Sequence, residues 1–182
     1  MSVFKDILSV LKGGTVVTAP ATVVSAEMAL AAAADYAAED VLSNNVTTAV
    51  PWRFEHMARK KGGRGTITKA IALCSTTALT PGITLYLFRE QPTSNLLDNV
   101  ANTAVVTADR YKYIGQIAFP AMAELGGNSE SVATPSTSGN LPLEFDCGPG
   151  DDGLYGVVVT RDAITGEVAN MGLLITLFCR QD

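Results

Sequence analysis

Residues 83–93, ITLYLFREQPT, decide the fold of this 182-residue chain, because they are typical of a β-strand with two apolar faces. Side chains of an extended strand point alternately to its two sides. One side carries Ile83, Leu85 and Leu87, and the other carries Thr84, Tyr86 and Phe88. A sheet with one solvated side needs only one apolar face. We therefore expect the second face to be covered by a loop, by the N-terminal segment or by a neighbouring subunit.

The rest of the chain also favours strands. Roughly eight to ten short apolar or alternating runs are separated by turn residues, with almost no strong helical pattern. In residues 66–75, TITKAIALCS, we predict Ile67, Ile71 and Leu73 on one face of a strand. Apolar residues on both faces of several strands favour an all-β fold, an antiparallel β-sandwich of jelly-roll type. We place this domain at residues 35–182, after an N-terminal arm and lead-in segment at residues 1–34.

The N-terminal residues predict a short helical or extended arm. MSVFKDILSVLKGG, residues 1–14, has apolar residues at helical spacing and ends in two glycines. The apolar stripe of Phe4, Ile7 and Leu11 requires a partner surface. This surface belongs either to the chain's own domain or to a neighbouring subunit, and the sequence leaves both open.

Composition points to a protein partner. Charged residues make up only 17% of the chain, hydrophobic residues make up 47%, and the formal net charge is -5. Nucleic-acid binding relies on Lys and Arg against phosphates, so we expect no nucleic-acid partner. No apolar run reaches the roughly 18 residues that span a bilayer, and no secretion signal is evident, so we expect no membrane partner and production in a cytoplasm.

No set of residues predicts a reaction. His56, the single histidine, shares one face of a predicted strand with Trp52 and Phe54, which favours a core or interface histidine bonded to the backbone over a catalytic base. The acidic residues Asp151 and Asp152, near Glu144 and Asp146, lack calcium-loop spacing and predict a solvated turn. We expect no catalytic residue, no cofactor and no metal site.

A basic turn is the other candidate contact. KKGGRGT, residues 60–66, matches neither phosphate-binding loop motif and precedes a strand. We predict a hairpin-like turn whose Lys60, Lys61 and Arg64 contact an acidic partner surface, with nucleic acid as the weaker alternative.

Several stretches carry a family resemblance. They are DYAAEDVLS at residues 35–43, GRGTITKAIALCS at residues 63–75, ITLYLFREQPT with the following residues 98–115, and the C-terminal residues 154–182. In order, they resemble the strand and turn patterns of small structural proteins of tailed bacteriophages, with residues 154–182 similar to a final hairpin. The resemblance covers roughly residues 35–182.

This resemblance implies a non-enzymatic virion protein. Its most direct form is a capsid decoration or cement protein on the phage head, made in the bacterial cytoplasm, which binds the lattice of the major capsid protein. A homo-oligomer is expected, with a trimer favoured. The alternatives are a head-fibre or tail-associated module, or a β-sandwich that binds carbohydrate or a host surface. Partner-binding candidates are Phe4, Ile7, Leu11, Lys60, Lys61, Arg64, Tyr86 and Phe88.

Overall fold

The computed structural model describes residues 21–31, 34–76, 80–135, 140–165 and 170–182. The predicted arm residues Phe4, Ile7 and Leu11 lie outside these ranges. In the described residues the chain forms eleven strands and one short 3-10 turn, Thr107–Asp109. The strands are β1 Thr22–Ala29, β2 Val41–Leu42, β3 Trp52–Phe54, β4 Arg64–Cys74, β5 Ile83–Phe88, β6 Tyr113–Phe119, β7 Ala123–Glu124, β8 Ser129–Ala133, β9 Leu143–Asp146, β10 Leu154–Thr160 and β11 Gly172–Gln181.

The strands build two antiparallel sheets, which confirms the prediction of an all-β sandwich-like fold. One sheet has six strands in the order β1-β11-β4-β8-β7, with β9 also paired to β4. The other has five strands in the order β2-β10-β5-β6, with β3 paired to β10. Strand β4 is long enough to pair with β8 near one end and with β9 near the other. Successive strands repeatedly change sheets, so most sheet contacts join distant parts of the chain.

Strand β5 lies inside its sheet, between β10 and β6, as its two apolar faces predict. Ile83, Leu85 and Leu87 are at most 1% exposed and belong to the main hydrophobic cluster. That cluster also contains Ile175 and Leu177 from the six-stranded sheet, so it fills the space between the sheets. Burial of such side chains contributes about 1.5–3 kcal/mol each.

The second face of β5 is covered by the chain itself. Phe88 has no exposed surface and packs in a second, smaller cluster with Leu96, Val157 and others. Leu96 belongs to residues 89–112, which we call the cover loop. The ends of this loop are joined by a hydrogen bond from the Arg89 N–H to the Lys112 carbonyl at 2.9 Å. Of the three predicted covers, the loop is therefore the one that this structure provides.

Because of a bulge in β4, its side chains do not all point to the side of the sheet that we predicted. The pairing of β4 with β11 shifts register between Phe178 and Cys179, opposite Thr68. An extra residue in one strand reverses which side chains point inward. Ile67 is fully buried, whereas Ile71 and Leu73 lie on the outer side, so the prediction that all three share a face is wrong.

Two further expectations about organisation differ from the structure. Residues 22–29, which we assigned to the lead-in segment, form β1 and pair with β11 along their whole length. The final strands β10 and β11 are not a hairpin, because β10 lies in the five-stranded sheet and β11 in the six-stranded one. Both differences arise from long-range pairing, which local sequence patterns do not specify.

Candidate functional site

The six-stranded sheet carries apolar side chains on its outer side, away from the core. Buried and partly exposed residues alternate along β11, and along β4 beyond the bulge, so the partly exposed set points outward. Cross-strand partners in an antiparallel sheet share a face. The register joins Leu73 to Leu174, Ile71 to Val132, and Val23 to Phe178. We call this set the open face: Val23, Ile71, Leu73, Val132, Leu174 and Phe178.

The open face belongs to neither hydrophobic cluster of the described residues. Val23 is 54% exposed, and the other members are partly exposed. Charged groups border the patch: Glu27 and Glu130 lie beside its leucines, and the Lys69 ammonium lies 5.2 Å from the centre of the Phe178 ring. The hydroxyls of Ser25 and Thr176, 2.9 Å apart, lie on the same face between the Val23–Phe178 pair and the leucines. A mixed apolar and polar surface of this kind is found at protein interfaces.

The basic turn is exposed and firmly held. Lys60, Lys61 and Arg64 are all exposed. The Gly63 N–H donates to the Lys60 carbonyl at 2.9 Å, and the Gly62 N–H donates to the Asp151 carbonyl at 2.8 Å. The turn connects β3 in one sheet to β4 in the other, so it is an inter-sheet connection and not the hairpin-like turn that we predicted. Three cations are thereby presented at one corner of the sandwich.

His56 lies at the surface, so the core position that we predicted as one of two options is wrong, and the interface position stays a prediction. Strand β3 ends at Phe54, and His56 adopts a left-handed backbone with φ 57°. Its side chain is 80% exposed, and its Nδ1 lies 3.0 Å from Asp152 Oδ2. The hydrogen bond and the charge of Asp152 raise the pKa of His56, and the same hydrogen bond lowers the pKa of Asp152. His56 and Asp152 form a surface ion pair that joins the turn after β3 to the turn before β10.

Two further carboxylates of the acidic group, Asp151 and Asp146, are also paired. Asp151 Oδ1 accepts a hydrogen bond from Arg53 Nη2 at 2.5 Å, and Asp146 lies 2.6 Å from Arg89. Burial raises the pKa of Asp151, but hydrogen bonds from Arg53 and Gly153 outweigh this and leave it below its ordinary value. These carboxylates are thus less solvated than we predicted. Within the described ranges, no three His, Cys, Asp or Glu side chains are grouped to hold a metal ion.

Tyr86 and Phe88 have different environments although both were predicted to bind a partner. Tyr86 is partly exposed, and its hydroxyl accepts a hydrogen bond from Arg161 Nη2 at 3.0 Å. Phe88 is enclosed by the cover loop, so it has no surface to offer a partner, and that prediction is corrected.

The buried anchor of the cover loop, Asp109, was not recognised from the sequence. The Asp109 carboxylate is fully buried and accepts hydrogen bonds from the backbone N–H and hydroxyl groups of both Thr93 and Ser94, at 2.8–3.0 Å. Burial raises the pKa of Asp109, but these four groups outweigh burial and hold it below its ordinary value. Next to this anchored residue, Tyr111 is 88% exposed. The Thr, Ser and Asp content of the loop was the only available signal.

The three cysteines are free and buried. Burial raises the pKa of the Cys147 and Cys179 thiols to about 11, and it also raises that of Cys74. Thiols in this state are protonated at neutral pH and are poor nucleophiles. The cysteines therefore contribute to packing.

Comparisons with known proteins found no match. No protein-family model matches the chain, and no curated protein matches it. Across the part of the chain that the structure describes, we find no helix with the length and apolar character needed to cross a membrane. Any function proposed for the chain therefore rests on the surfaces of the sandwich.

Proposed function

We propose that this chain is a non-enzymatic structural protein of a tailed-phage virion, which decorates the head by binding the lattice of the major capsid protein. The observation that carries the proposal is the open face. It places six apolar side chains on one side of a regular sheet, outside both hydrophobic clusters of the described residues. A surface of this kind is suited to contact with another protein.

The physical requirement of a decoration protein agrees with this surface. A stable contact buries on the order of 1,000 Å² or more, and apolar area contributes about 25 cal/mol per Å² removed from water. The open face is built on β4 and β11, two of the longest strands, so its side chains are held by the backbone ladder beneath them. A pre-organised surface loses little conformational entropy when it binds.

The basic turn supplies a second element of recognition. The chain carries a formal net charge of -5, yet Lys60, Lys61 and Arg64 protrude from one fixed corner. A local cationic group on an acidic protein favours an acidic patch on the partner and fixes the orientation of docking. We assign this turn to the rim of the capsid contact.

A jelly-roll topology and a homo-oligomer, with a trimer favoured, belong to the same proposal. Repeated crossing of the chain between two antiparallel sheets supports the jelly-roll assignment. The carbohydrate-binding alternative loses its candidate residue, because Trp52 is 1% exposed and its indole N–H is bonded to the Leu42 carbonyl at 2.8 Å. Trp52 therefore cannot serve as the exposed aromatic ring of a glycan platform.

The proposal is tested with two matched valines. Val23 on the open face is 54% exposed, and Val46 elsewhere on the surface is 52% exposed. Val23→Asp should weaken binding to heads of the phage that encodes the chain by about tenfold or more, which corresponds to about 1.4 kcal/mol. Val46→Asp should leave binding unchanged. Binding is measured by co-sedimentation with washed heads.

Equal binding by both variants would remove the open face from the contact. Wild-type protein that fails to bind heads would overturn the decoration role. Electron-microscopic density on a tail or fibre would assign the chain to that part of the virion.

A further inference from the structure

Strand β1 has an unpaired edge among the described residues. It runs for eight residues, Thr22–Ala29, and pairs with β11 on one side, while no described strand pairs with its other side. Alternate residues of an edge strand direct their N–H and C=O groups away from the sheet. The strand carries a single charged residue, Glu27, and no proline. It therefore lacks most of the features that prevent another strand from pairing with an edge.

A groove runs beside the same edge. Its volume is about 430 Å³, and it lies between β1 and the end of β3 with the following turn. The residues that line it are Thr22, Val23, Val24, Ser25, Arg53, Glu55 and His56. The Arg53–Asp151 and His56–Asp152 pairs hold the far wall in place. Unpaired backbone groups beside an open groove are the features that strand addition uses.

The sequence contains a segment suited to this edge. Residues 15–19 read TVVTA, and residues 22–26 at the start of β1 read TVVSA. Both runs are rich in β-branched residues, which favour strands. The first run precedes the described residues, which begin at Ala21. The chain therefore offers a second strand-forming segment immediately before an edge with which no described strand pairs.

The connection between the two runs disfavours pairing within one chain. Only Pro20 and Ala21 separate Ala19 from Thr22. Two-residue hairpin turns require a positive φ at the first loop position, whereas proline fixes φ near −65°. Proline also restricts the preceding residue to extended conformations. A two-residue hairpin that would return residues 15–19 to their own β1 is therefore disfavoured, which leaves the β1 edge of another copy as the partner to test.

We propose that residues 15–19 of one copy add as a strand to β1 of a neighbouring copy. This inference rests on the proposed function for the role of the assembly. It adds that the partner at the β1 edge is a second copy of this chain. The exchange is head-to-tail, because the donating segment and the accepting edge are different surfaces. Head-to-tail contacts that close produce rings, and a trimer is one such ring.

Disulfide trapping tests the exchange directly. The native cysteines are buried, so they do not compete for oxidation. Chains with Val23→Cys are mixed with chains carrying Val16→Cys or Thr18→Cys, and the mixture is dissociated, reassembled and oxidised. We expect a cross-linked dimer of the two kinds of chain on a non-reducing gel. Val46→Cys, at a position of similar exposure, is the control for random collision.

A chain that carries both Val16→Cys and Val23→Cys distinguishes the two possible occupants. Exchange between copies predicts covalent oligomers up to the size of the closed ring. A cross-linked species that stays entirely monomeric would overturn the inference in favour of pairing within one chain. Cross-linking no greater than with the Val46→Cys control would also overturn it.

A truncated chain lacking residues 2–19 gives an independent measurement. We expect its sedimentation coefficient to fall to that of a monomer. A labelled peptide of residues 13–21 should bind the truncated chain, whereas the same peptide with Val16→Pro and Val17→Pro should not, because adjacent prolines remove an N–H from the ladder. An unchanged oligomer after truncation would contradict the inference.

Head binding is scored separately from exchange. Chains that cross-link between copies but do not bind heads would overturn the decoration role and leave the exchange intact. Chains that bind heads as monomers would overturn the exchange and leave the decoration role intact.

Discussion

The outer faces of the two sheets differ in whether the chain covers them. The five-stranded sheet is covered by the chain's own loop, which buries Phe88 and Leu96. The six-stranded sheet presents the open face, where Phe178 and Leu174 are partly exposed and lie outside both clusters. Apolar residues on an outer face thus have two uses. On one sheet they stabilise the monomer, and on the other they are available to a partner.

The largest expected effect compares two phenylalanines. Phe88→Ala should lower the free energy of unfolding by about 3–5 kcal/mol, because it leaves a cavity beneath the cover loop. Phe178→Ala should lower it by less than about 1 kcal/mol, because its ring is partly exposed. Urea unfolding of both variants measures the difference. Equal losses would mean that the two faces do not differ in their contribution to stability.

A smaller effect is expected when the cover loop loses its anchor. Asp109→Asn should lower the free energy of unfolding by about 2–3 kcal/mol, because charge-assisted hydrogen bonds from Thr93 and Ser94 are lost. Amide exchange should rise within residues 89–112 and remain slow in the six-stranded sheet. Faster exchange throughout both sheets would indicate that the loop is not a separate cover.

The same anchor predicts a dependence on acid. The pKa of Asp109 is lowered in the folded state, so the stability it contributes is present above its unfolded pKa, about 3.9. This stability is lost as the pH falls through the folded pKa. The difference between wild type and Asp109→Asn should therefore be full at pH 7 and should shrink below about pH 4. A difference that does not change with pH would exclude the charge as its source.

The smallest effect concerns His56, beside the β1 groove. Its pKa is raised by Asp152, so the ion pair contributes below the unfolded pKa of about 6.5 and is lost as pH rises through the folded pKa. An NMR titration should give a His56 midpoint above that of a free histidine, and Asp152→Asn should lower it. Stability should scarcely change, because both groups are close to solvent. An unchanged midpoint in Asp152→Asn would show that the pair does not form in solution.

The alternation of side chains along short stretches of sequence was sufficient to predict much of the fold. The pattern in ITLYLF predicted a central strand, and β5 occupies that place between β10 and β6. The alternation in residues 66–75 likewise predicted a strand, and β4 spans Arg64–Cys74. These elements are predictable because side-chain alternation is a property of neighbouring residues, whatever the partner strand.

The errors occurred where a distant residue decides the structure. The bulge at Thr68 depends on the register with β11, and it turns Ile71 and Leu73 outward. The alternation of residues along β4 alone therefore did not predict the open face. His56 left its predicted face because β3 ends at Phe54 and the chain turns. The Asp109 anchor depends on hydrogen bonds to residues fifteen and sixteen positions away. None of these three features is specified by a short stretch of neighbouring residues.

The position of β11 has a consequence for synthesis of the protein. Strand β11 lies between β1 and β4, yet it is translated after every other described strand. The six-stranded sheet therefore cannot close until residues 172–181 have left the ribosome. Until then β1 and β4 are without their shared partner, and slow non-local pairing leaves apolar strands exposed. Folding of this sandwich is consequently completed only after residues 172–181 have been synthesised.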